Sequence, residues 1–198
     1  MILGSGGREH ALAWKISKSK LCDNLYIAPG NGGTSIEGIN IPLNINNFKE
    51  VKDCVLKKSI DLVIVGPEEP LVNGIVDFFK EDNDLKKIKI FGPGKSGAKL
   101  EGSKDFSKEF MFRNNIPCGK SETFNKDTLE NGFKFLENIS SPYVLKADGL
   151  AAGKGVLILD DLEEAKKELS NMILKEKFGE ASKNVLVEEF LDGIEVSV

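Results

Sequence analysis

The stretch Asp61-Leu62-Val63-Ile64-Val65-Gly66-Pro67-Glu68-Glu69-Pro70-Leu71-Val72 decides the fold. It opens with an acid and a continuous, mostly β-branched apolar run. A run that short and that apolar reads as a strand covered on both faces, the kind found inside a parallel sheet. Gly66-Pro67 stops it, and Leu71 to Phe79 then reads as a helix. The same order recurs on either side. Met1 to Leu3 is a short strand, followed by a helix over Glu9 to Ser17 with Leu12 and Ile16 on one face. Asn24 to Ala28 is a strand ending in Pro29-Gly30-Asn31. Asn47 to Lys57 is helical, with Phe48, Val51 and Val55 suitably spaced, and Ile88 to Phe91 is another strand. Strands alternating with helices at this spacing predict an α/β fold built on a doubly wound parallel sheet. Gly92-Pro93-Gly94 then punctuates the chain, so the first domain is expected to span 1–97 and a second 98–198.

The second half has a different rhythm. Ser103 to Asn114 reads as a helix, with Phe106 and Phe110 four apart. Tyr143 to Lys146 and Val156 to Leu159 are strands separated by a long Gly/Ala loop, which predicts an antiparallel hairpin and not a βαβ crossover. Leu162 to Leu174 is a helix whose apolar stripe is Leu162, Ala165, Leu169, Met172 and Ile173. Val185 to Glu189 is a last strand.

Composition narrows the function classes. The 198 residues are 40% hydrophobic and 29% charged, with a net charge of −4, the profile of a globular chain with its own core. A binder driven by phosphate neutralisation along nucleic acid is normally basic, so no nucleic-acid partner is expected. No apolar run approaches the ~18 residues of a membrane span, and no membrane partner is expected. Cys22, Cys54 and Cys118 are odd in number and widely spaced, which fits a reduced, cytoplasmic chain and neither a disulfide framework nor a zinc site. His10 is the single histidine, so a His-based triad or a multi-His metal site is excluded; its expected role is structural.

Two glycine-rich loops carry the chemistry. The first, Gly4-Ser5-Gly6-Gly7-Arg8-Glu9-His10, follows a strand and opens a helix, where backbone N–H groups and the helix dipole favour an anion. It is not a dinucleotide fingerprint. Glu9 stands where the third glycine belongs, and the second strand ends in Ala28-Pro29 where an acid should meet the ribose. Arg8 at its mouth points to a compact phosphate monoester gripped by a guanidinium, against the plainer reading of a tight strand–helix turn. Glu68, at the carboxyl end of a parallel strand, either accepts from sugar hydroxyls or simply complements a helix N-terminus. The second loop, Lys146-Ala147-Asp148-Gly149-Leu150-Ala151-Ala152-Gly153-Lys154-Gly155, is not a P-loop. It has three residues where that motif has four between its glycines, and Gly155 replaces the hydroxyl residue. A small-residue flap with lysines at both ends suits closure over a polyphosphate. Lys104 opens a helix against its dipole, a mild violation that hints at an anionic ligand. In the last strand Glu188 and Glu189 are followed by Glu195, seven residues on from Glu188.

Taken together, these segments resemble the N-terminal half of the glycinamide ribonucleotide synthetases, ATP-grasp enzymes that ligate phosphoribosylamine and glycine. The resemblance rests on Gly4 to His10, Ala28-Pro29-Gly30-Asn31 with Gly33-Thr34, and Gly66-Pro67-Glu68 with Pro70-Leu71-Val72. It continues through Leu100-Glu101-Gly102-Ser103-Lys104, Lys146 to Gly155 and Glu188-Glu189-Phe190-Leu191. It covers essentially all 198 residues. It implies a Rossmann-like substrate domain over 1–97 and the first part of an ATP-grasp domain over 98–198. It implies that Gly6, Gly7 and Arg8 hold the phosphoribosylamine phosphate, with Asn31, Gly33, Thr34, Pro67 and Glu68 framing the sugar. Lys104 and Lys146 would contact ATP phosphates under a flap formed by Gly149, Ala151, Ala152, Gly153, Lys154 and Gly155. Glu188, with the backbone of Glu189 and Leu191, would read adenine, and Glu195 the ribose hydroxyls.

By the same resemblance, ATP phosphorylates glycine and the amine of phosphoribosylamine attacks the acyl phosphate, giving glycinamide ribonucleotide, ADP and phosphate in purine biosynthesis. No catalytic side chain is assigned. The ligands for Mg2+ or Mn2+ and for glycine are expected beyond Val198, in a C-terminal half that this chain lacks, so the fragment alone is expected to be inactive as a ligase. Two other readings stay open: another ATP-grasp carboxylate–amine ligase, and a nucleotide- or phosphate-binding module without turnover. A Rossmann oxidoreductase is disfavoured by the broken fingerprint.

Overall fold

Ile2 and Leu3 are adjacent, both fully buried, and belong to different cores. That alternation is the signature of a strand covered on both faces. The computed structural model describes residues 1–150, 154–194 and 196, and the chain divides into two units, Met1–Lys99 and Leu100–Val198.

The first unit is wound around β1 (Ile2–Gly4), α1 (Gly7–Ser17), β2 (Tyr26–Pro29), α2 (Thr34–Glu37), β3 (Ile39–Asn40), α3 (Phe48–Lys57) and β4 (Leu62–Val65). It continues through α4 (Glu68–Asn73), α5 (Ile75–Glu81) and β5 (Lys89–Phe91). The sheet order is β3-β2-β1-β4-β5, with every pair parallel. Leu3 pairs with Ala28 on one side and Val65 on the other. One face buries Leu3, Ala28, Val63 and Val65 with Val51 and Val55 of α3 and Ile75 and Phe79 of α5. The other buries Ile2 and Ile27 with Ala13 of α1, flanked by Leu12 and Ile16. The expected doubly wound sheet is therefore present. Because β2 lies on one side of β1 and β4 on the other, the winding reverses at β1. The carboxyl ends of β1 and β4 border the crevice where such sheets bind ligands.

One element differs from expectation. The helix read over Leu71 to Phe79 is two helices, α4 and α5, that meet at Gly74 with φ +96°. A left-handed residue ends a helix, and glycine takes that conformation without a Cβ penalty. The Gly74 N–H closes α4 on the carbonyls of Pro70 and Leu71.

The second unit contains α7 (Lys104–Arg113), which follows α6 (Lys95–Gly102), and then β6 (Ser121–Phe124), α8 (Leu129–Glu137) and β7 (Tyr143–Ala147). It ends with β8 (Val156–Leu159), α9 (Leu162–Leu174), a 3-10 turn at Gly179–Ser182, and β9 (Val185–Glu189). Its sheet is antiparallel, in the order β6-β9-β7-β8. The predicted hairpin is β7–β8, with Lys146 opposite Val156. Val185 and Val187 share a core with Leu145, Leu136 of α8, and Ala165, Leu169 and Met172 of α9. By the period of two, Glu188 and Leu186 lie on the opposite face. Helix α8 comes close because Gly132 has no side chain: a Cβ there would lie 2.8 Å from Leu169 Cδ2 and 3.1 Å from Phe124.

Candidate functional site

The first loop is built by a residue that broke a familiar pattern. Glu9 is the third residue of α1, and its carboxylate accepts from the Gly6 N–H at 2.6 Å. It thereby satisfies one of the donors that every helix start leaves orphaned. The side chain is buried, and a Cβ at Gly66 would overlap its carboxylate. A Cβ at Gly4 would lie 2.6 Å from Glu9 Cγ. Glu9 therefore fills the space between the loops after β1 and β4, and the glycines on both sides make room for it. His10 fills a second gap, where a Cβ at Gly33 would overlap its ring.

Asn31 ties the loop after β2 to the loop after β1. Its amide nitrogen donates to the Ser5 carbonyl at 2.7 Å, and its Oδ1 accepts from the Gly33 N–H at 2.7 Å and the Thr34 N–H at 3.0 Å. Thr34 is fully buried, and its hydroxyl donates to Asn40 Oδ1 while accepting from the Asn31 N–H. Arg8 reaches the loop after β4: Nη1 donates to the Gly66 carbonyl at 2.6 Å and Nη2 lies 3.4 Å from Glu68 Oε1. The Arg8 side chain is 61% exposed and Glu68 42%, so this pair adds little stability and leaves the guanidinium available. Pro67 caps α4 ahead of Glu68. Gly6, Gly7, Arg8, Asn31, Gly33, Thr34, Pro67 and Glu68 are thus brought to the carboxyl end of one parallel sheet. A Cβ at Gly7 would meet nothing within 4 Å, so the helix start is open there. Free N–H groups of a helix start beside an exposed guanidinium can hold a phosphate.

The second unit gathers lysines around the root of the glycine flap. Lys104 Nζ donates to the carbonyls of Ala147 at 2.7 Å and Gly149 at 3.3 Å. Burial lowers its pKa, nearby Asp148 works against that, and Lys146 adds to it. Lys146 Nζ donates to Glu188 Oε2 at 2.6 Å, while Lys108 Nζ pairs with Glu188 Oε1. Burial alone would raise the Glu188 carboxyl; the hydrogen bonds from Lys108 and Lys146 outweigh it and hold the pKa below the ordinary value. Gly149 donates to the Ala181 carbonyl at 3.3 Å, and the buried Gly155 accepts from the Ala147 N–H at 2.7 Å. These two bonds anchor the ends of the flap, with Lys154 exposed beside Gly155. Ala151, Ala152, Gly153 and Glu195 lie outside the described residues. Glu189 is tied to the chain entering β6, its N–H donating to the Lys120 carbonyl and its Oε1 accepting from the Lys120 N–H at 2.8 Å. Leu191 is exposed just beyond.

Sequence reasoning left out two members of this cluster. Asp148 accepts from Ser103 Oγ at 3.2 Å and from the Asp105 N–H at 2.8 Å, so it fixes the start of α7 against the flap. Lys108 is one helical turn beyond Lys104, the only local signal that both could face the same way. Among the described residues, no three His, Cys, Asp or Glu side chains converge to hold a metal. No helix among them is long and apolar enough to cross a membrane.

Comparison with known proteins covers both units. Residues 1–101 match the family model for the phosphoribosylglycinamide synthetase N domain, and residues 102–198 match that for its ATP-grasp (A) domain. The chain is 46% identical over 198 residues to a phosphoribosylamine–glycine ligase from Clostridium acetobutylicum, which covers 100% of this chain and 46% of the relative. It is 45% identical to another from Haemophilus influenzae, covering 100% of this chain and 45% of that one. The crystal structure of phosphoribosylamine–glycine ligase from Thermotoga maritima matches with a TM-score of 0.74 at 35% identity, over 98% of this chain and 44% of the solved one. The chain spans a little under half the length of these relatives.

Proposed function

This chain belongs to the phosphoribosylglycinamide synthetase family, and on that premise we propose that it carries the phosphoribosylamine site and part of the ATP site of a phosphoribosylamine–glycine ligase. The observation that supports this best is the consecutive match of both units to the two domain models, each unit carrying its own phosphate-suited loop. In the proposed reaction ATP transfers its terminal phosphoryl group to the glycine carboxylate, releasing ADP. The amine of phosphoribosylamine then attacks the carbonyl carbon of glycyl phosphate, and phosphate leaves. Such a reaction is accelerated by positioning and by charge neutralisation, with no protein nucleophile required.

The residue roles follow from what each group presents. Gly7 and Arg8 offer backbone donors and a guanidinium to the substrate phosphate, and Gly6, whose N–H is held by Glu9, shapes the loop around it. Asn31, Gly33, Thr34, Pro67 and Glu68 shape the pocket for its sugar, with Asn31 and Thr34 acting through the loop they hold together. Lys104 and Lys146 take the ATP phosphates beneath the flap running from Gly149 to Gly155. Glu188, with the backbone of Glu189 and Leu191, reads adenine, and Glu195 the ribose. A divalent cation, Mg2+ or Mn2+, would neutralise the phosphates during transfer. The setting is cytoplasmic purine biosynthesis.

Calorimetric titration tests the binding roles. The chain should bind ribose 5-phosphate and MgATP, and bicarbonate should not compete. Failure to bind either phosphate ligand would remove the proposal, and preference for bicarbonate or another small acid would move it to a different ATP-grasp ligase.

A further inference from the structure

Glu188 is a buried carboxylate held between two ammonium groups, and the two are not equivalent. Lys108 lies on α7, with a side chain only 13% exposed, and it also donates to the Gly119 carbonyl at 3.3 Å. Lys146 lies on β7, three positions before the flap, with a side chain 30% exposed. The Glu188 side chain is 9% exposed. Removing one partner from a buried ion pair normally leaves a charge without compensation, and this is what makes such pairs hard to open. Here the carboxylate has a spare cation. If Lys146 turns from Glu188 to a phosphate oxygen, Lys108 still neutralises the other carboxylate oxygen. The cluster then passes from a net charge of +1 to 0, and the departing +1 goes to the nucleotide.

We propose that Lys108 is a positioning residue for the nucleotide site: it holds Glu188 so that Lys146 can exchange a carboxylate for a phosphate of ATP. The inference rests on the nucleotide site proposed above. Lys108 touches no phosphate in this scheme. Lys146 is the mobile cation, and Lys108 and Glu188 form the fixed pair from which it is released.

The test reads the ammonium groups directly. In side-chain ammonium NMR of the 15N-labelled 198-residue chain, signals are assigned with the Lys104→Arg, Lys108→Arg and Lys146→Arg variants. MgATP should shift the Lys146 signal strongly and leave that of Lys108 nearly in place. No shift at Lys104 or Lys146 would overturn the nucleotide site itself, and the inference with it. Shifts of equal size at Lys108 and Lys146, or a shift at Lys104 without one at Lys146, would overturn the inference alone. A second arm measures affinity. Lys108→Met should weaken MgATP binding by about tenfold or more, because Glu188 then retains Lys146. Lys108→Arg, which keeps a cation on Glu188, should restore it. Unchanged affinity in Lys108→Met, or a loss that Lys108→Arg does not restore, would overturn the proposal. The ammonium measurement on the parent chain decides the matter even if Lys108→Met does not fold.

Discussion

Replacing Gly66 by alanine tests whether Glu9 braces the loops after β1 and β4. The new Cβ would overlap the Glu9 carboxylate and lie 2.6 Å from both its Cγ and Cδ. Glu9 has no room to retreat. Its far side is closed by Gly4, and moving it sacrifices the bond to the Gly6 N–H. Overpacking of this kind costs about 1–3 kcal/mol, and losing the helix-start bond adds about 1 kcal/mol. Restricting the unfolded chain returns about 0.4–1 kcal/mol. The balance is a loss of roughly 1–3 kcal/mol, which for a unit of about 100 residues lowers Tm by about 4–20 °C. Trp14, the single tryptophan, sits on α1 in the same unit, so its fluorescence in urea follows that unit's unfolding. The decisive comparison is a cycle with Glu9→Ala. In that background the overlap is gone, and Gly66→Ala should cost close to nothing. A Gly66→Ala chain as stable as the parent, or one with the same penalty when Glu9 is alanine, would refute the brace.

Gly132→Ala should destabilise the second unit by about 1–3 kcal/mol through contact with Leu169 and Phe124, seen as a lower thermal midpoint by circular dichroism; an unchanged midpoint would mean that α8 can move away. Arg8→Ala should change stability by less than about 0.5 kcal/mol, since its ion pair is exposed, yet weaken ribose 5-phosphate binding by about tenfold or more; unaltered binding would relocate the phosphate. Glu188 should shape the acid limb of stability. Its folded pKa is lowered, because two lysines outweigh burial. Its contribution is therefore complete above the unfolded value of about 4.3 and is lost as pH falls through the folded one. Urea midpoints measured from neutral pH downwards should thus fall less steeply in acid for Glu188→Gln than for the parent, and parallel curves would count against the pairing.

The elements legible in the sequence are those with a strong local period. Asp61 to Val65 reads as a strand covered on both faces; the strand is there as Leu62–Val65, but only the face of Val63 and Val65 is fully covered, with Leu62 exposed and Ile64 half-buried on the other. The stripe from Leu162 to Ile173 reads as a helix face, and its Ala165, Leu169, Met172 and Ile173 are buried. Strand β6 was not legible: the first three residues of Ser121-Glu122-Thr123-Phe124 are all polar, with no alternation to read, and the strand lies at a sheet edge, where one row of backbone groups needs no partner. Helix α8 was hidden by Gly132, which costs about 1 kcal/mol in helix propensity and is tolerated for the close approach it permits. The break at Gly74 depends on a left-handed backbone that composition does not announce.

For the candidate site the division follows chain separation. Loop composition names Gly6, Gly7, Arg8, Lys146 and the flap, because glycine runs and exposed cations have local reasons to exist. It says nothing of Glu9 against Gly66, 57 positions apart, or of Lys108 against Glu188, 80 apart. Sequence by itself determined where the glycine-rich, cation-bearing loops lie and on which kind of sheet. Only the tertiary structure decided that an apparently misplaced glutamate braces two loops, and that one carboxylate is shared between two lysines. Burial and close approach are properties of residues brought together by folding, and neither is written in the spacing of either partner alone.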